Sequence, residues 1–130
     1  MSVVPESHAD LLERPLFAHL ATVRPDGAPQ SNPMWFLWDP DAGVIKLTHT
    51  KVRSNYRALQ TEPRVALSII DPESGYRYLQ VRGNVEKIED DPTGAFYQTL
   101  QQRYLGKSEP VADKDVRVVL TIRPTAARAQ

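Results

Sequence analysis

The sequence predicts a mainly β protein in which six antiparallel strands, with about three helices, close into a small barrel. Three observations predict it. Short segments of alternating apolar and polar residues recur along the chain, which is the period of a strand. The turns between most of them are rich in Pro, Gly and Asp and too short for the crossover that parallel pairing requires. Many strands with few helices to cover them leave the fewest exposed edges when they close on themselves. The 130 residues, 11 of them proline, suit a single domain over residues 1–130 built from many short elements.

Each element has its own signal. ESHADLLE (6–13) reads as a short helix, with Ser7 as its cap, Asp10 as a capping-box partner, and Leu11, Leu12 and Leu16 toward the core. FAHLATVR (17–24) alternates as a strand, and Arg24-Pro25-Asp26-Gly27 is a turn. PQSNPMWFLWD (29–39) returns as the second strand, kept to an edge by Pro29 and Pro33, which lack a donor. After the turn at 39–43, VIKLTHT (44–50) completes a three-stranded meander. A helix follows, capped by Thr50, with Val52, Tyr56 and Leu59 on one face and an end at Glu62-Pro63. RVALSIID (64–71) is a strand whose Val65, Leu67 and Ile69 share a face, and YRYLQVRGNVEKIED (76–90) is a long one bent or bulged at Gly83. Asp90-Asp91 caps a third helix over 91–106, which carries Phe96, Leu100 and Tyr104 as a stripe and stops at Gly106. VRVVLTIRP (116–124) is the last strand.

Composition narrows the function. Sixteen basic and sixteen acidic residues give a formal net charge of +0, unlike a general nucleic-acid binder. Without cysteine there is no disulfide, thiolate nucleophile or Cys-based zinc site. No apolar run nears the roughly 20 residues of a membrane span, and MSVVPESHADLLERP has no signal-peptide pattern, so a cytoplasmic protein is expected. His8, His19 and His49 lack zinc-motif spacing, and no nucleophile elbow, Walker loop or GxGxxG is present. An enzyme of this kind takes its chemistry from a cofactor.

Two segments are unusual. THTKVRSNYRALQ (48–60) puts Lys51 and Arg53 in the expected first turn of a helix, and Arg57 one turn later. Cations there oppose the helix dipole, whereas free N–H groups and cations together make a phosphate site. The competing reading is that both side chains point to water or pair with Glu62, Glu73 or Asp71. PQSNPMWFLW places Gln30, Ser31 and Asn32 beside two Trp and a Phe. Polar donors next to flat aromatic surface suit a planar heterocycle with carbonyl and N–H edges. An ordinary edge strand with core aromatics is the alternative.

LATVRPDGAPQSNPMWF, KVRSNYRALQTEPRVALSI and YRYLQVRGNVEKI, in this order, resemble the flavin/deazaflavin oxidoreductases, split β-barrels related to pyridoxamine 5′-phosphate oxidase. The resemblance covers roughly residues 8–124 and is nearest the branch that uses coenzyme F420. It implies an FMN-binding split-barrel fold and a homodimer with two cofactor sites at its interface. It implies that Thr48, His49, Thr50, Lys51, Arg53, Ser54 and Asn55 grip the cofactor phosphate, that Gln30, Ser31 and Asn32 lie near its ring, and that Tyr76 and Tyr78 line the site, from the partner chain in one arrangement. Hydride transfer between the deazaflavin and a small unsaturated substrate then needs no protein nucleophile. One departure stands out: Asn55 replaces a Lys frequent in this branch, with the loss of one charge. FMN is the alternative cofactor, and the alternative functions are an FMN-dependent oxidase of the pyridoxamine phosphate type and a cofactor carrier or sensor without turnover.

Overall fold

The computed structural model describes residues 3–130, apart from the side chains of Ser54 and Asn55. It contains one antiparallel sheet of seven strands: β1 (Ala18–Val23), β2 (Pro29–Met34), β3 (Leu37–Asp39), β4 (Val44–Thr50), β5 (Arg64–Asp71), β6 (Ser74–Asp90) and β7 (Arg117–Ala129). The helices are α1 (Asp10–Glu13), α2 (Ser54–Thr61) and α3 (Ala95–Leu105). Spatial order in the sheet is β2-β1-β5-β6-β7-β4-β3.

Seven strands replace the expected six because 29–39 divides. Its first half pairs with β1, Ala18 opposite Met34, and its second half pairs with β4, Leu37 opposite Lys46. The expected meander is therefore absent: β2 and β3 lie at opposite edges of the sheet. Only Trp35 and Phe36 separate them, and three residue steps span at most roughly 10 Å. The sheet must curl until its two edges meet, so the barrel is closed by chain rather than by a hydrogen-bond ladder.

The interior is filled by the alternate residues of each strand. Leu20, Phe36, Ile45, Leu47, Val65, Leu67, Ile69, Leu79, Val81, Leu120 and Ile122 are all buried, and Leu11 and Leu12 of α1 join them. Gly83 sits at a register shift between β6 and β7, and a side chain there would strike the Arg123 carbonyl, so the expected bulge is present.

α3 covers the seam. Tyr104 Oη donates to the Leu16 carbonyl at 2.6 Å and accepts from Phe36 N–H at 3.0 Å. Arg103 donates from Nε to the Phe36 carbonyl at 3.2 Å and from its two terminal nitrogens to the carbonyls of Leu12, Glu13 and Arg14. One guanidinium thus caps the end of α1 and holds the link between the two sheet edges.

Helix starts depart from expectation. α2 begins at Ser54 with Arg53 as an uncapped N-cap residue, because Thr50 remains in β4 opposite Arg117. Lys51 therefore precedes the helix instead of lying in its first turn, and Val52, 77% exposed, faces solvent rather than the Leu59 side. Ser7 caps nothing: it lies in a 3-10 turn (Glu6–His8), and Ala9 precedes α1. α3 starts at Ala95, beyond Pro92, after Gly94 at φ 72°. Asp91 still caps it, accepting from the N–H groups of Phe96 and Tyr97 at 3.3 and 3.2 Å, and Gly106 ends it in the left-handed region.

Candidate functional site

β4 delivers the site's first residues. Thr48, His49 and Thr50 are buried where it meets the start of β7. His49 Nδ1 accepts the Thr50 N–H at 2.9 Å, so a neutral imidazole there carries its proton on Nε2. Thr50 Oγ1 is buried without a hydrogen-bond partner among the described residues. The chain then turns out of the sheet, with Lys51 N–H donated to the Val116 carbonyl at 2.9 Å.

Two concave regions meet at Arg53. One is a cleft of about 220 Å³ lined by Phe17, Pro33, Met34, Trp35, Thr48, His49, Arg53, Tyr97 and Arg117. The other is an open basin of about 600 Å³ lined by Arg24, Pro25, Lys51, Val52, Arg53 and Arg57. The aromatic walls of the cleft are fixed. Trp35 stacks on Tyr104 with ring centroids 4.9 Å apart and planes 10° apart, and its ring lies 6.3 Å from Tyr97. Arg117 lies 4.1 Å over the Tyr97 ring and donates to Asp113 at 2.9 Å and to Thr48 Oγ1 at 3.4 Å.

The basin gathers four cations from two segments, the β1–β2 turn and 51–57. Lys51 Nζ is 2.8 Å from Asp90 Oδ1, a bond that raises the ammonium's pKa. The carboxylate partners considered for it from sequence are engaged elsewhere: Glu62 with Arg64, Asp71 with Arg14 and Arg77, Glu73 with Arg14. Arg24 lies 3.5 Å from Asp26. Arg53 and Arg57 enter no ion pair among the described residues. The Asp113 carboxyl is held below its ordinary pKa, first by its hydrogen bond from Arg117 and in part by the charge of Arg53.

The predicted residues divide into groups. Thr48, His49, Lys51, Arg53 and Arg57 line the two concavities, and Thr50 lies between them in sequence. Ser54 and Asn55 fall outside the described side chains. Gln30, Ser31 and Asn32 lie on edge strand β2, directly before the cleft residues Pro33 and Met34. Ser31 and Asn32 are exposed, while Gln30 Nε2 is buried with no partner among the described residues.

Tyr76 and Tyr78 are not brought to the cluster. They stand at the start of β6, where Tyr78 bonds the backbone of Gln130, while Asp90 beside Lys51 ends the same strand. Twelve residue steps separate Tyr78 from Asp90, a contour of roughly 40 Å.

Sequence reasoning missed Arg24, Phe17, Tyr97 and Arg117. Arg24 was hidden in a turn signal, and Tyr97 lies one position off the Phe96–Leu100–Tyr104 stripe. Arg117 opens a strand as many surface arginines do, and its signal was Asp113 four residues earlier.

The donor set fits a phosphorylated heterocycle. Two guanidiniums without ion pairs among the described residues, a lysine and a helix N-terminus suit a phosphate, and the cleft beside them offers the aromatic walls of Trp35 and Tyr97. Among the described residues no group of His, Asp and Glu could hold a metal ion, and no helix is long and apolar enough to cross a membrane.

Comparison with known proteins gives concordant matches. The family model for pyridoxamine 5′-phosphate oxidase matches residues 4–130. A solved structure named F420 reductase is 57% identical, with a TM-score of 0.92 over 98% of this chain and 100% of its own. A conserved hypothetical protein of Mycobacterium tuberculosis shares the fold at 23% identity and TM-score 0.72, over 99% of this chain and 87% of its own. General stress protein 26 of Bacillus anthracis shares it at 21% identity and 0.70, over 95% and 91%.

Proposed function

We propose that this chain, which belongs to the pyridoxamine 5′-phosphate oxidase family, is a deazaflavin-dependent reductase: it binds coenzyme F420 and reduces a small unsaturated organic substrate. The observation that carries the reading is the join at Arg53 between a four-cation basin and an aromatic-walled cleft. The 57% identity to a protein named F420 reductase favours the deazaflavin over FMN.

Each residue has a role in this reading. Arg53 and Arg57, with the N–H groups opening α2, hold the phosphate, and Lys51 and Arg24 face the same anion from the rim. Trp35, pinned by Tyr104, and the Thr48–Thr50 segment orient the ring. Gln30 satisfies its buried amide on a ring edge, because an unpaired buried donor costs about 1–3 kcal/mol. Phe17 and Tyr97 exclude water from the cleft. When bound, the deazaflavin supplies a hydride to the substrate. The proposed unit is a homodimer, with Tyr76 and Tyr78 of each protomer reaching the partner's site.

The test is titration of the purified protein with F420 and with FMN, followed by fluorescence at several salt concentrations. Tight F420 binding that weakens with salt is expected. Arg53→Ala is expected to raise the F420 Kd about tenfold or more, and Arg53→Ala with Arg57→Ala further. Preference for FMN moves the chain to the oxidase reading. F420 binding with no turnover across a panel of enones and quinones leaves a carrier. Unchanged affinity in the double variant overturns the phosphate assignment.

A further inference from the structure

The basin's cations are opposed in two different ways. Arg24 and Asp26 share one turn, so that pair is local, as is the neighbouring cleft's Asp113–Arg117 pair, four residues apart. Asp90 is not a local partner. It comes from the far end of β6 to meet Lys51 where the chain leaves β4. The Lys51 backbone is anchored to Val116, so only its side chain is free to choose between Asp90 and an anion in the basin. Both side chains are well exposed, at 40% and 67%. Such a pair contributes little stability, and a bound anion competes for the ammonium on near-equal terms.

We propose that Asp90 is the affinity-setting residue of the basin: a displaceable counter-ion that holds Lys51 until an anionic ligand takes its place. The inference rests on the phosphate-binding reading of the basin. Asp90 weakens anion binding twice, by occupying Lys51 and by placing a negative charge beside the ligand. A ligand of one anionic group meets two open guanidiniums, and one of several groups also recruits Lys51.

The test measures binding of inorganic pyrophosphate, by amide NMR shifts over residues 51–57, and of F420, by fluorescence. It uses the wild type, Asp90→Asn, Asp90→Glu, and Asp90→Asn combined with Lys51→Ala. Asp90→Asn is expected to tighten both ligands about threefold or more, the size of one unit charge acting across several ångströms of water-like medium. Asp90→Glu is expected to match the wild type, and Lys51→Ala to remove most of the gain. Unchanged or weaker binding in Asp90→Asn overturns the proposal and makes Asp90 a strut that orients Lys51. A gain that survives Lys51→Ala in full overturns the competition through Lys51. If pyrophosphate binds nowhere over 51–57 the proposal also falls. If pyrophosphate tightens while F420 binds no variant, the cofactor reading fails and this one stands.

Discussion

At the scale of single residues, the side chains with most partners are not those that looked functional. Arg103 is one exposed-looking helix position in the sequence, yet its guanidinium donates to four carbonyls from two segments. Removing it leaves carbonyls at the end of α1 and at Phe36 without their donor. Arg103→Ala is expected to destabilise the fold by about 3 kcal/mol, and Arg103→Lys by nearly as much, because an ammonium cannot reproduce the planar fork. Urea unfolding with an unchanged m-value checks this, and a loss below about 1 kcal/mol contradicts it. Residue-level features are legible in the sequence where the local chain carries the reason. Lys51, Arg53 and Arg57 looked misplaced beside a helix start, and the structure gathers them around one basin. Arg24 and Arg117 are not legible in this way, because their place in the site depends on which strands become neighbours.

At the scale of elements, strands were more legible than helix starts. Val65, Leu67 and Ile69 announced the inner face of β5 by period alone, and all three are buried. The expected caps at Ser7 and Thr50 do not form: Ser7 lies within a 3-10 turn, and Thr50 stays in β4, whose end the local sequence does not mark. The split of 29–39 was illegible for a related reason: nothing local says that its two halves pair with strands on opposite sides. α3 was the readable helix, and its capping gives a prediction. Asp91 serves two N–H groups from one carboxylate, so Asp91→Ala is expected to cost about 1–2 kcal/mol in thermal or urea unfolding. Gly94→Ala is expected to cost at least as much, since φ is 72° and a Cβ would lie 2.6 Å from Val111 Cβ.

The link between α1 and the β5–β6 turn gives a pH dependence. Arg77 donates to Asp10 at 2.6 Å and to Asp71 at 3.0 Å, and Asp71 also accepts the Glu73 N–H at 2.9 Å. Both carboxyls are held below the ordinary aspartate value of 3.8: Asp10 chiefly by Arg77, Asp71 by the Glu73 N–H and then by Arg77. A lowered native pKa stabilises the fold above the unfolded value and loses that contribution as pH falls. Melting temperature is therefore expected to drop as pH passes below about 4, and Asp71→Asn with Asp10→Asn to blunt that drop. A double variant with the wild-type acid limb contradicts this source.

At the scale of the whole molecule, the two halves of the predicted site lie at opposite ends of β6, with Tyr78 near one end and Asp90 closing the other. Within one protomer Tyr76 and Tyr78 line neither the basin nor the cleft that meet at Arg53. Either the tyrosines have no part in the site or a second copy supplies them. The proposed homodimer takes the second course, and it makes a prediction that no single variant can. Arg53→Ala protomers lose the phosphate contact, and protomers carrying Tyr76→Ala with Tyr78→Ala lose the lining. If each site is built from both chains, a mixed dimer concentrates both defects in one site and leaves the other with Arg53 and both tyrosines intact. Mixing the two variants under exchange conditions is then expected to restore wild-type F420 affinity at a fraction of the sites, seen as a new tight phase in the titration. Sites confined to one protomer would show only the two weak affinities, in proportion to the mixture. In that case Tyr76, 85% exposed in the protomer, is a surface residue of another kind, and the site is the basin and cleft of a single chain.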